Sequence, residues 1–127
     1  MLVKVEASPI HPADQLHLVG KVFPAEVVPP PVTVGIEAAG TVVKVGEGVD
    51  EKEWVGKRMV FLLIPVFPGL KENLGWQQYI HISKDYDFKV ELSPKLSFKE
   101  GCLLICNPLT AVGMVDIAEV EGLKAIG

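Results

Sequence analysis

An α+β domain, in which several short antiparallel strands curl into a partly open barrel, is the fold this sequence predicts. Three observations point there. The amino-terminal part alternates apolar and polar residues with period two in short runs punctuated by Pro and Gly. The carboxyl-terminal part switches to helical spacing behind a capping box. The length of 127 residues suits a single hydrophobic core.

Leu2-Val3-Lys4-Val5-Glu6-Ala7 alternates with period two and reads as a strand closed by the turn-forming Ser8-Pro9. Pro12-Ala13-Asp14-Gln15-Leu16-His17-Leu18-Val19 has Pro near its start and Gly20 behind its end, which predicts a short helix. Pro29-Pro30-Pro31 admits neither helix nor central ladder position and reads as an extended connection. A strand follows over residues 33–45, with Gly35 and Gly40 as close-packing positions, and ends at Gly46-Glu47-Gly48. That glycine pair reads as a turn between strands, because no helical pattern follows to make it a dinucleotide loop. Residues 59–64 and 77–82 are the next two strands, joined by a loop containing Pro65, Pro68, Gly69 and Gly75.

Ser97-x-x-Glu100 is a capping box that opens a helix over residues 98–106. Asn107-Pro108 then ends it and starts another, with Asn as the cap and Pro in the first turn, running to about residue 120. Gly122 stops that helix, and Lys124-Ala125-Ile126 reads as the opening of a further strand.

Composition narrows the function classes. The net charge of −4 carries no basic face, so neither nucleic acid nor an anionic membrane surface is an expected partner. The longest apolar run, residues 59–66, is broken by Pro65 and falls far short of the ~20 residues of a membrane span. No leader pattern precedes the first strand, which favours a cytoplasmic location, or the mitochondrial matrix, over secretion. Cys102 and Cys106 cannot build a disulfide framework and, at i, i+4 in a helical pattern, read as two small buried apolar groups. His17 and His81 have no companions at metal-ligand spacing and read as solvated or core residues.

The most informative stretch is Gly35-x-Glu37-x-x-Gly40-x-Val42-x-x-Val45-Gly46. With Val5-x-Ala7-x-x-Ile10-x-Pro12-x-Asp14 before it, and Val55-Gly56 with Arg58 and Val60, Gly75-Trp76-x-x-Tyr79 and Asn107-Pro108-Leu109-Thr110-Ala111 after it, the chain resembles the GroES-like substrate domain of the medium-chain dehydrogenase/reductase superfamily. The spacing is similar to that of quinone oxidoreductases and enoyl reductases. The resemblance implies a substrate domain over 1–106 and, over 107–127, a connecting helix entering a nucleotide-binding domain. It implies hydride transfer from NADPH or NADH to a small-molecule acceptor, a quinone or an activated double bond. The dinucleotide-binding glycine loop would lie beyond Gly127, so the chain alone is expected to be inactive and to bind either cofactor weakly.

Zinc-dependent relatives place a Cys where Ile10-His11-Pro12 stand, a His at the position of Ile36 and often a further Cys near Cys106. An aliphatic side chain cannot bind zinc, and Cys106 with His11 supplies fewer than the three protein ligands of a catalytic site, so a zinc-independent member is expected. Glu37 then has two readings, a buried carboxylate bonded to backbone or to Arg58, or an acid at the reaction centre. Asp14 and His11 fall where relatives place polar residues near nicotinamide and substrate, which makes them the candidate catalytic pair; Asp14 is equally well a first-turn residue favoured by the helix dipole. The Tyr that enoyl-thioester reductases carry as proton donor is replaced by Val22-Phe23, while Tyr79 and Tyr86 read as barrel residues. Thr110 and Asn107 are the candidate cofactor contacts, with a Thr110 hydroxyl bonded to its own helix as the alternative. A second class of function is a non-catalytic barrel module, in which Leu103, Leu104, Leu109, Val112 and Val115 form an apolar surface that seeks a homodimer or another partner.

Overall fold

The computed structural model describes residues 1–21, 33–64 and 74–122. The expectations for Val22-Phe23, the Pro29–Pro31 connection, the loop residues Pro65, Pro68 and Gly69, and the strand at 124–126 lie outside them.

Among the described residues five strands, β1 (Leu2–Ala7), β2 (Glu37–Lys44), β3 (Arg58–Leu62), β4 (Tyr79–His81) and β5 (Lys89–Glu91), form one antiparallel sheet in the order β4-β1-β2-β3-β5. Among the described residues the sheet is open, with β4 and β5 at its edges. Strand alternation sends two sets of side chains to opposite faces. Val3, Val42, Met59, Phe61, Leu63, Leu74 and Ile80 make the larger core, and Ala39, Val60, Leu92 and Cys102 make a smaller one on the other side.

Gly40 shows why the central strand needs small residues. It pairs with Val5 on β1 and Met59 on β3, and a Cβ there would collide with the Lys4 carbonyl and approach Val3 to 2.9 Å. Ala38 and Ala39 beside it are fully buried, so β1, β2 and β3 close on one another with little side-chain bulk between them.

Among the described residues four helices accompany the sheet: α1 (Pro12–Leu18), α2 (Glu51–Trp54), α3 (Phe98–Gly101) and α4 (Asn107–Val120). The Ser97 hydroxyl accepts from the Glu100 amide and the Glu100 carboxylate accepts from the Ser97 amide, so the capping box forms as read. Its helix is shorter than expected. It stops at Gly101, packed against Leu92 and Val60, and turns carry the chain to α4. Cys102 is therefore buried in the smaller core while Cys106, outside α3, is only partly buried. The pair is not two buried groups on one helix.

Other boundaries moved for local reasons. The expected 33–45 strand begins at Glu37, because Gly35 sits at φ +106° and turns the chain just before it. Behind Gly46-Glu47-Gly48 stands a single helical turn, α2, capped by the Asp50 side chain on the Lys52 amide. The sequence reading had no helix there, nor the three-residue edge strand β5. α4 runs to Val120 as expected, but its N-cap is Cys106, without a side-chain cap bond; Asn107 is the first helical residue. No described helix is long and apolar enough to cross a membrane.

Candidate functional site

Three element starts meet at one corner of the sheet, those of α1, β2 and α4. His11 is the N-cap of α1 in extended backbone, and its ring Nδ1 accepts the Ala13 amide at 3.1 Å. The Asp14 carboxylate reaches back to accept the His11 amide at 2.8 Å, completing a reciprocal cap. Its other oxygen accepts the amides of Gly35 at 3.1 Å and Ile36 at 2.9 Å. One carboxylate thus fastens the start of α1 to the turn that feeds β2. Trp76 closes over that turn, its amide donating to the Val34 carbonyl and its indole N–H to the Pro9 carbonyl.

The next residue along β2 continues the chain of contacts. Glu37 is 2% exposed, its backbone carbonyl accepts the Ser8 hydroxyl at 2.6 Å, and its Oε1 accepts the Cys106 amide at 2.8 Å. A buried carboxylate receiving an amide at the start of α4 is favoured by charge assistance and by the orphan donors of a helix N-terminus. Of the two partners expected for a buried carboxylate here, backbone and Arg58, it is the backbone that bonds it. Arg58 donates to the carbonyls of Ser93 and Leu96 and stacks on Phe98.

At the surface of this corner stand His11, Cys106, Asn107 and Thr110. His11 Nε2 lies 3.3 Å from Asn107 Oδ1 and 3.9 Å from Cys106 Sγ. The Thr110 hydroxyl donates to the Cys106 carbonyl at 2.6 Å, one turn back on its own helix. Burial, and secondarily the Glu37 carboxylate, push the Cys106 thiol above its ordinary pKa, and the same two causes act on Cys102. Both sulfurs are held toward the neutral thiol.

The structure brings His11, Asn107 and Thr110 together as exposed or half-exposed groups. Asp14 it places differently. Expected at the rim, it is 0% exposed with both oxygens on backbone amides, so it has no surface with which to touch a ligand. What the sequence reading missed is the bond from Glu37 to Cys106, 69 residues apart. The available signal was a lone acid beside Ala38-Ala39, a position that demands a buried partner. Through that bond His11, Glu37 and Cys106 bring a ring nitrogen, a carboxylate oxygen and a sulfur within 4.8 Å of one another.

Fold and corner together give an open antiparallel sheet with a polar, backbone-anchored edge. Residues 1–90 match the alcohol dehydrogenase GroES-like domain, and the chain belongs to that family. A quinone oxidoreductase from Coxiella burnetii has 27% identity and a TM-score of 0.77, covering 94% of this chain and 36% of that one. A candidate NADPH:quinone reductase from Bacillus thuringiensis has 30% identity and a TM-score of 0.70, covering 94% and 31%. An oxidoreductase from Salmonella enterica, solved with NADP, shares the fold at 23% identity and a TM-score of 0.71, covering 97% and 35%. The chain thus spans about a third of the length of these proteins. A comparison with curated protein sequences finds no match.

Proposed function

We propose that residues 1–106 act as the substrate domain of an NAD(P)H-dependent oxidoreductase that reduces a quinone or an activated double bond, with 107–127 leading into a dinucleotide-binding domain. The observation that carries this reading is the meeting of His11, Asn107 and Thr110 on one backbone-anchored corner, in a domain of this family. When bound, the nicotinamide supplies the hydride. The residues of this chain bind and orient.

Thr110 suits a carboxamide. Its proton is committed to the Cys106 carbonyl, so the exposed hydroxyl oxygen is left as an acceptor for an amide N–H. Asn107, one turn earlier and also exposed, can offer both donor and acceptor. Asp14 serves as a positioning residue, holding the His11 cap and the turn before β2 in register. Hydride transfer needs its partners about 3 to 3.5 Å apart, and a corner pinned through backbone amides fixes one side of that geometry.

A second reading is favoured by one observation, that no residue of α4 is buried. On this reading the chain is a non-catalytic module whose apolar helix docks a partner or a second copy. The complete open reading frame, expressed and purified, separates the two. NADPH- or NADH-dependent reduction of a simple quinone, lost on removal of the nucleotide, is the expected result; a product that binds neither cofactor nor acceptor and only self-associates overturns the enzyme reading.

A further inference from the structure

His11, Glu37 and Cys106 bring three potential ligand atoms within 4.8 Å of one another, and as a donor set they look adequate. Their wiring does not suit an ion. A histidine that binds metal through Nε2 must carry its proton on Nδ1, and in metal sites that N–H donates to an acceptor. Here the Nδ1 atom faces the Ala13 amide at 3.1 Å and accepts from it. An Nδ1 proton would meet the amide proton head-on, and an Nδ1-bound metal would have to displace the amide. The Glu37 Oε1 is likewise engaged by the Cys106 amide at 2.8 Å. The donor atoms span up to 4.8 Å, whereas ligands around a tetrahedral zinc with bonds of ~2.0–2.3 Å lie about 3.5 Å apart.

We propose that the Ala13 amide locks the His11 ring as its Nε2–H tautomer, which makes it a hydrogen-bond donor into this corner, and that the group it serves is the oxygen of a small carbonyl or quinone acceptor as negative charge develops there. Which ring nitrogen carries the proton is set by the bond the other one makes. In this structure the Nε2 proton finds the Asn107 Oδ1 at 3.3 Å, a long contact that an acceptor oxygen could replace. The electron balance is simple. Hydride from the dihydronicotinamide forms a new bond to the acceptor, the displaced π pair moves onto the acceptor oxygen, and that oxygen later takes a proton from solvent. The nicotinamide is oxidised and the acceptor reduced by two electrons, while His11 donates a hydrogen bond and keeps its proton. A fixed N–H at the developing oxyanion supplies the kind of stabilisation that a Lewis acid supplies elsewhere.

The oxyanion role rests on the functional reading above, whereas the tautomer does not, so the two are tested apart. On the chain itself at pH 8, the 15N–1H correlations of the His11 imidazole should show Nε2 protonated and Nδ1 bare. Titration with cobalt(II) alone should give no thiolate-to-cobalt absorption. A dominant Nδ1–H tautomer, or a one-equivalent cobalt band that Cys106→Ser abolishes, overturns the proposal. On the whole reading frame with active wild type, His11→Leu should lower kcat by on the order of a hundredfold with cofactor affinity retained, and His11→Gln, which restores an N–H donor, should recover part of it. Unchanged kcat in His11→Leu overturns the donor role while leaving the reductase reading standing; a wild type without reductase activity sinks that reading and the donor role together, and the tautomer remains measurable.

Discussion

The corner built by His11, Asp14 and Glu37 and the body of α4 are opposite cases within one chain. In the corner, charged and polar groups are buried or half-buried, and each carboxylate is answered by backbone amides, three on Asp14 and one on Glu37. In α4, Leu109, Val112, Met114, Val115, Ile117 and Val120 stand exposed. Polarity is inside where the chain supplies partners, and apolar surface is outside where it supplies none. The corner is braced by its own backbone hydrogen bonds, which is what the proposed role of orienting two reactants requires. A helix apolar around its circumference is the kind normally enclosed by other structure, and its stabilising contacts are not among those the described residues make.

That contrast is sharpened most by Asp14→Ala. It leaves three backbone amides, two of them on the turn before β2, without their acceptor, and the chain should lose about 3 to 5 kcal/mol of stability in urea. A loss under about 1 kcal/mol would mean that the carboxylate is not the fastener between α1 and β2. Asp14→Asn should fall between, since the amide keeps one accepting oxygen.

The second effect is a pH dependence at the same helix. His17 is buried, and burial lowers its pKa below the ordinary 6.5 against a smaller opposing pull from Asp14. The unfolded chain then binds the proton more readily than the folded one, so stability is fully present above pH ~6.5 and falls as pH drops through that value toward the folded pKa. Chemical denaturation between pH 8 and 5 should show a steeper decline for wild type than for His17→Leu. Parallel curves would place the acid sensitivity elsewhere.

The smallest stability effect is expected on the other side of the comparison. Val112→Glu with Val115→Glu on α4 should change chain stability by no more than about 0.5 kcal/mol per site while reducing self-association in sedimentation. A large loss of stability would show that α4 packs against this domain after all.

The same contrast marks how far the sequence could be read. β1 was legible to the residue because Leu2 to Ala7 alternates with period two, and the Ser97–Glu100 box announced α3 because both partners lie within one turn. α2 and β5, at four and three residues, are too short to show a period. Asp14 read as a surface first-turn acid because local chemistry places it there; its burial is decided by amides 21 and 22 residues away. The N-cap of α4 was misread for a related reason. Asn107 is a good capping residue by type, but the backbone of Cys106 is already in the helical region with its amide on Glu37, so the helix starts one residue earlier. His11, Asn107 and Thr110 were named from the motifs as candidates and fall at one corner. The hydrogen-bond roles at that corner, donor against ligand and clamp against acid, depended on long-range partners.

The central claim, that this corner faces a bound nicotinamide, is tested most directly by Thr110→Val in the complete reading frame, with cofactor affinity and melting temperature measured on the same preparation. Valine keeps the volume and removes both the contact to the Cys106 carbonyl and the acceptor offered outward. The contact given up is exposed and local to α4, so the account predicts NADPH affinity weaker by about 1 to 2 kcal/mol with the melting temperature nearly unchanged. A lowered melting temperature with cofactor affinity intact would contradict it and leave Thr110 as a residue that only braces its own helix.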